Sequence, residues 1–108
     1  MRYSPRRKQE AHALIVSRIA YFNQTYQCTI ARIVVRNQRR RWGSCSRRGN
    51  LNFNYRVLKL PLALVDYIVV HELCHLRELN HSTRFWELVA RTLPDFRTRQ
   101  QALRRIVL

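Results

Sequence analysis

A chain of 108 residues with 46% apolar side chains and only two glycines can bury one modest core and is too apolar to stay disordered. It has no apolar run of bilayer length, and its basic N-terminus lacks the stretch and cleavage site of a secretory signal, so a cytoplasmic protein with no membrane partner is expected. The formal net charge is +15, and 19 of the 21 basic residues are Arg, which suits phosphate polyanions such as DNA or RNA.

The first element is predicted over residues 5–23. Ser4 is a good N-cap, Pro5 fits the first helical position, and Ala11, Leu14, Ile15, Ile19 and Phe22 recur at helical spacing around Arg18. Residues 29–37 are rich in β-branched side chains and read as a strand. Residues 51–57 alternate: Leu51, Phe53, Tyr55 and Val57 are expected to face the core, and Asn52, Asn54 and Arg56 to face water. The polar stretch between them holds both glycines, Gly43 and Gly49, and reads as a long hairpin-like connection, giving a small antiparallel sheet.

Pro61 opens a long apolar segment, residues 61–79, predicted as a buried helix that Asn80 ends. Ser82 or Thr83 caps the next helix, which carries Phe85 and Trp86 as core packing and stops at Pro94. Asp95 begins a last basic helix with Phe96, Leu103 and Ile106. The order is helix, two strands and three helices, an α+β pattern within one domain, residues 1–108. Three cysteines, Cys28, Cys45 and Cys74, form no C-x-x-C pair, so neither a disulfide framework nor a four-cysteine metal site is expected.

The decisive segment is His71-Glu72-Leu73-Cys74-His75. Four residues turn through about 400° of helix, so the two histidines lie one above the other and can hold one metal ion. Glu72 sits about 100° around the helix, beside the metal, where a general base takes a proton from water. A buried carboxylate is costly without such a role or a partner. His81 follows six residues after His75, and a reversal near Asn80 would return it to the metal as a third ligand. Glu78 is the rival, although it lies about 10 Å along the axis from His71. Three histidines and an open position are a catalytic zinc arrangement, whereas structural zinc sites are closed by four ligands.

Trp42-Gly43-Ser44-Cys45, the His71–His75 segment, Asn80-His81-Ser82 and Phe85-Trp86 together resemble the YgjP-like metallopeptidase family. The match runs from about Arg41 to Val89 and continues more weakly to the end. The family is similar to zincin peptidases and to the SprT-like branch that includes DNA-linked proteases. The resemblance implies a zincin-like fold with Zn2+ held by His71, His75 and His81, and Glu72 as catalytic acid/base acting on a protein or peptide. Glu78 stands where the related metzincin pattern has Gly. The chain is also short for the family, whose members carry a longer N-terminal part.

Three further groups follow from this frame. Trp42, Gly43 and Ser44 are candidate substrate-binding residues, since a strand edge beside the metal can receive an extended peptide. Arg41, Tyr55 and Tyr67 are candidate oxyanion donors. Arg39, Arg40, Arg41, Arg47 and Arg48 are candidate nucleic-acid contacts. They support the alternatives of a nucleic-acid-binding domain with a structural zinc, or a protease recruited to DNA.

Overall fold

The computed structural model describes residues 1–108. Helix α1 (Pro5–Tyr26) starts as the sequence requires: the Ser4 side chain accepts a hydrogen bond from the Arg7 amide, and Pro5 occupies the first turn. It buries Ala11, Ile15, Ile19, Phe22 and Tyr26, an i, i+4 stripe. Strands β1 (Arg32–Arg36), β2 (Gly43–Cys45) and β3 (Asn50–Asn54) follow, then a 3₁₀ turn (Tyr55–Lys59) and helices α2 (Leu62–His75), α3 (Thr83–Ala90) and α4 (Phe96–Arg104).

The sheet is mixed, not antiparallel. Its order is β1-β3-β2, with β1 parallel to β3 and β2 antiparallel to it. The connection expected to be a plain hairpin carries a strand of its own. Strand β2 takes the antiparallel edge of β3 across the tight turn at Gly49, whose φ of +89° favours glycine. Residues 37–42 then carry the chain across the sheet, leaving β1 on the far edge in the parallel sense.

The strand predicted over residues 51–57 ends at Asn54. Leu51, Phe53, Tyr55 and Val57 are all buried as expected, but so is Asn54, because it satisfies its own polar atoms. Its Nδ2 donates to the carbonyls of Gln38 (2.8 Å) and Arg41 (3.0 Å), and its Oδ1 accepts from the Arg56 amide. The Arg56 bond turns the chain into the 3₁₀ segment, and the two Nδ2 bonds fix the loop leading into β2.

Helix α2 lies against both α1 and β2, and ten of its 14 residues are buried. Its one buried charge besides Glu72 is Asp66, which accepts two hydrogen bonds from Arg18 of α1 at 2.7 and 3.0 Å. The helix ends at His75 rather than near residue 79. The Arg77 and Glu78 amides both converge on the Cys74 carbonyl, which tightens the last turn, and the Arg77 guanidinium is held by the Tyr26 carbonyl. Ser82 caps α3 through the Phe85 amide, and the chain resumes after Pro94 as α4. No helix is long and apolar enough to cross a membrane.

Candidate metal centre

His71 and His75 project from successive turns of α2, and the loop between α2 and α3 delivers His81 to them. The Nε2 atom of His81 stands 3.1 Å from that of His71 and 2.8 Å from that of His75, and the ligand atoms of all three lie within 4.8 Å of one another. Glu78 takes no part through its side chain, which faces Arg84 at 4.0 Å. Its main-chain carbonyl instead accepts from His75 Nδ1 at 3.0 Å.

The proton positions follow from these partners. His75 Nδ1 donates to a carbonyl, and His71 Nδ1 lies 3.2 Å from a Glu72 carboxylate oxygen. The proton of each of these two rings is therefore drawn to Nδ1, leaving an Nε2 lone pair aimed at the cluster centre. Neutral imidazole is favoured further. Burial lowers the pKa of both His75 and His81, and the neighbouring imidazoles push in the same direction.

Three ring nitrogens converge, two of them with lone pairs aimed inward, an arrangement that suits a cation placed among them. Nitrogens bound at 2.0–2.1 Å to one tetrahedral ion stand about 3.3 Å apart, a few tenths of an ångström more than the 3.1 and 2.8 Å between His81 and its two partners. The donor set fits a borderline divalent ion, and no fourth His, Cys, Asp or Glu joins it.

Aromatic packing sets the cluster's shape. Phe85 is fully buried, with its ring centre 5.2, 4.4 and 4.9 Å from those of His71, His75 and His81. Trp86 stacks on His81 at 5.6 Å and on Phe96 of α4 at 4.9 Å. Phe85 is the core residue its helical position predicts, whereas Trp86 is half-buried and braces the loop-borne histidine.

Glu72 is 6% exposed and lies against β2. A Cβ placed on Gly43 would stand 3.3 Å from both its Cγ and its Oε2, so a side chain there would push against the carboxylate. Ser44 and Cys45 continue the strand, paired with Asn52 and Leu51. Burial, with the nearby Glu72 charge second, pushes the Cys45 thiol up to about 11, and Cys45 does not join the three histidines.

The oxyanion candidates separate. Arg41 and Tyr67 line a pocket together with His71 and Glu72. Tyr55 is buried and donates to the Met1 carbonyl at 3.1 Å. Arg39, Arg40, Arg41, Arg47 and Arg48 are all exposed, and none forms an ion pair. Two residues of the site region escaped sequence reasoning: Asn54, read as a solvent-facing strand residue, and Leu103, which lines the same pocket from α4.

Comparisons with known proteins agree with this geometry. A family model described as "YgjP-like, metallopeptidase domain" matches residues 5–106. The crystal structure of the metallopeptidase zymogen of Pyrococcus abyssi abylysin superposes with a TM-score of 0.74 at 20% identity, covering 82% of this chain and 90% of that one. The metallopeptidase zymogen of Methanocaldococcus jannaschii jannalysin gives 0.58 at 21% identity, covering 75% and 79%. At these identities the likeness is one of fold. No curated protein sequence matches.

Proposed function

The chain belongs to the YgjP-like metallopeptidase family, and from that premise we propose that it is a zinc peptidase of the HExxH type, with residues 1–108 acting as one catalytic domain. The observation that carries the reading is the meeting of three imidazole Nε2 atoms beside a buried carboxylate. His71, His75 and His81 would hold the zinc. Bound there, the ion supplies Lewis acidity toward water and the peptide carbonyl. Three protein ligands rather than four favour a catalytic over a structural role.

Glu72 is the general base and then the general acid. It accepts a proton from the attacking water on its carboxylate and passes it to the leaving amine. Burial against Gly43 holds that carboxylate in one place. Trp42, Gly43 and Ser44 present a strand edge along which an extended protein or peptide substrate would pair. Arg41 and Tyr67, which line the pocket beside His71 and Glu72, would be the donors to the oxyanion.

Nucleic-acid contact is the second reading. It is supported by the unpaired, exposed Arg39, Arg40, Arg41, Arg47 and Arg48, which would recruit the peptidase to DNA or RNA by phosphate contacts. A cytoplasmic location accords with that partner.

The deciding experiment is elemental analysis of the purified protein together with hydrolysis of an unstructured polypeptide, with and without chelator and with and without DNA. About one zinc per chain, and hydrolysis that chelation removes and zinc restores, is the expected result. Stoichiometric zinc with no hydrolysis, alongside salt-sensitive DNA binding, would favour the structural-metal alternative.

A further inference from the structure

Beside Glu72 and His71 lies a pocket of about 210 Å³. Clefts that enclose a whole small molecule run to about 300–1,000 Å³, so this one has room for a single side chain. Trp42 closes it at the entrance to β2, and Tyr67 and Ile68 close it from the turn of α2 that precedes His71. Leu103 reaches in from α4, and Arg41 stands exposed among the lining residues.

The lining fixes the chemistry of an occupant. Trp42, Ile68 and Leu103 offer no hydrogen-bonding partner beyond one indole N–H, and Tyr67 is nearly fully buried. A polar side chain entering here loses water and gains little in return. An acidic one also meets the Glu72 carboxylate. The pocket adjoins the group that handles the proton, so its occupant belongs to a residue next to the bond being cut.

We propose that this pocket is the specificity subsite of the peptidase, that it selects a medium-sized apolar side chain flanking the scissile bond, and that Leu103 sets its depth. The inference rests on the peptidase reading. It assigns a substrate class, peptides carrying Leu, Met or Phe at that position, and a specificity role to a residue of the last helix. Leu103 touches no reacting atom and acts by limiting volume.

The test uses the full chain supplied with zinc and has two arms. In the first, acetylated pentapeptide amides Ala-Ala-Xaa-Ala-Ala, with Xaa Leu, Phe, Ala, Asp or Arg, are titrated by calorimetry into the Glu72→Gln variant, which is expected not to cleave them. Leu should bind at least ~10-fold tighter than Ala, the low end of what one or more buried methylenes discriminate. Adding Leu103→Ala should move the optimum to Phe, and adding Leu103→Met should keep the original ranking. Equal affinity for Leu and Ala, or an unchanged ranking in Leu103→Ala, would overturn the proposal. A preference for Asp both here and in cleavage by the Glu72-intact protein would also overturn it and assign selection to Arg41.

In the second arm, Glu72-intact protein cleaves a randomised peptide pool, and the residues on both sides of each cut are read by mass spectrometry. Enrichment of Leu, Met and Phe at one of the two flanking positions is expected. Chelator-sensitive cleavage without residue preference would remove the subsite and leave the peptidase reading standing. No cleavage, with the Leu ranking intact in the first arm, would do the reverse.

Discussion

Helix α2 and the segment from β1 to the 3₁₀ turn carry charges of opposite sign. Glu10 and Asp66 have no acidic residue between them, while nine basic residues lie between Arg32 and Lys59. From Asp66 onward come five of the six acids and three of the four histidines. The buried polar groups of α2 are partnered: Asp66 takes the Arg18 fork, and Glu72 takes a ring nitrogen of His71. Five arginines of the sheet segment's connecting loops stay unpaired in water. Desolvated groups must be satisfied by fixed partners, whereas solvated ones need none. Metal chemistry and the positive field are thus built by different rules, and each should be removable without the other.

The largest effect should come from the histidines. His71→Ala or His75→Ala is expected to take the zinc content from about one per chain to none, read by elemental analysis, and to leave DNA affinity unchanged. His81→Ala should weaken zinc strongly in a competition titration, while Glu78→Ala leaves it nearly unchanged, since the Glu78 contact to His75 is made by a main-chain carbonyl. The reverse ranking would reassign the third ligand.

Glu72→Gln sharpens the contrast within α2 itself. The amide keeps the shape and loses the basicity, so hydrolysis should fall by ~10²–10⁴-fold while zinc and DNA binding persist. Equal rates for variant and wild type, with contaminating proteases excluded, would remove Glu72 from the chemistry.

The two regions also differ in how far the amino-acid sequence discloses them. The pairing of His71 with His75, and the place of Glu72 beside them, follow from helical geometry alone, because residues four apart share a face whatever the rest of the chain does. The return of His81 depends on the seven residues after the helix, where only the reversal itself was legible. In the sheet, partner and direction are non-local. Nothing in residues 29–37 or 51–57 says that a three-residue strand between them takes the antiparallel edge. Asn54 reads as polar and solvent-facing because its burial depends on carbonyls of Gln38 and Arg41, distant in sequence. Leu103 reads as core because helical spacing cannot distinguish a side chain that fills a core from one that lines a pocket.

For the sheet segment, the measure is salt dependence. Replacing Arg39, Arg40, Arg47 and Arg48 together by Gln should reduce the slope of log affinity for duplex DNA against log salt by up to about 4, close to one per lost phosphate contact. Zinc content and peptide hydrolysis without DNA should not move. An unchanged slope would show that these side chains do not meet phosphate, and a loss of zinc would show that the two regions are coupled.

The smallest expected change tests one close contact between them. At Gly43 the strand edge meets the helix carboxylate, and a methyl group there would stand 3.2 Å from the Asn52 carbonyl oxygen and 3.3 Å from Glu72. The Asn52 carbonyl belongs to the central strand and has little freedom to move. Glu72 is nearly enclosed and bonded to His71, so it can yield only by turning away from the position that the proton transfer requires. Overpacking of this kind costs about 1–3 kcal/mol, or roughly 4–8 °C in Tm per kcal/mol for a domain of this size. Gly43→Ala should therefore lower Tm by several degrees and kcat/KM by about tenfold, while zinc content and the salt slope for DNA stay as they were. Normal hydrolysis in Gly43→Ala would mean that β2 shifts outward and that the carboxylate does not depend on the strand. Loss of zinc would mean that His71 follows Glu72 when it turns, joining proton transfer and metal binding in a single constraint.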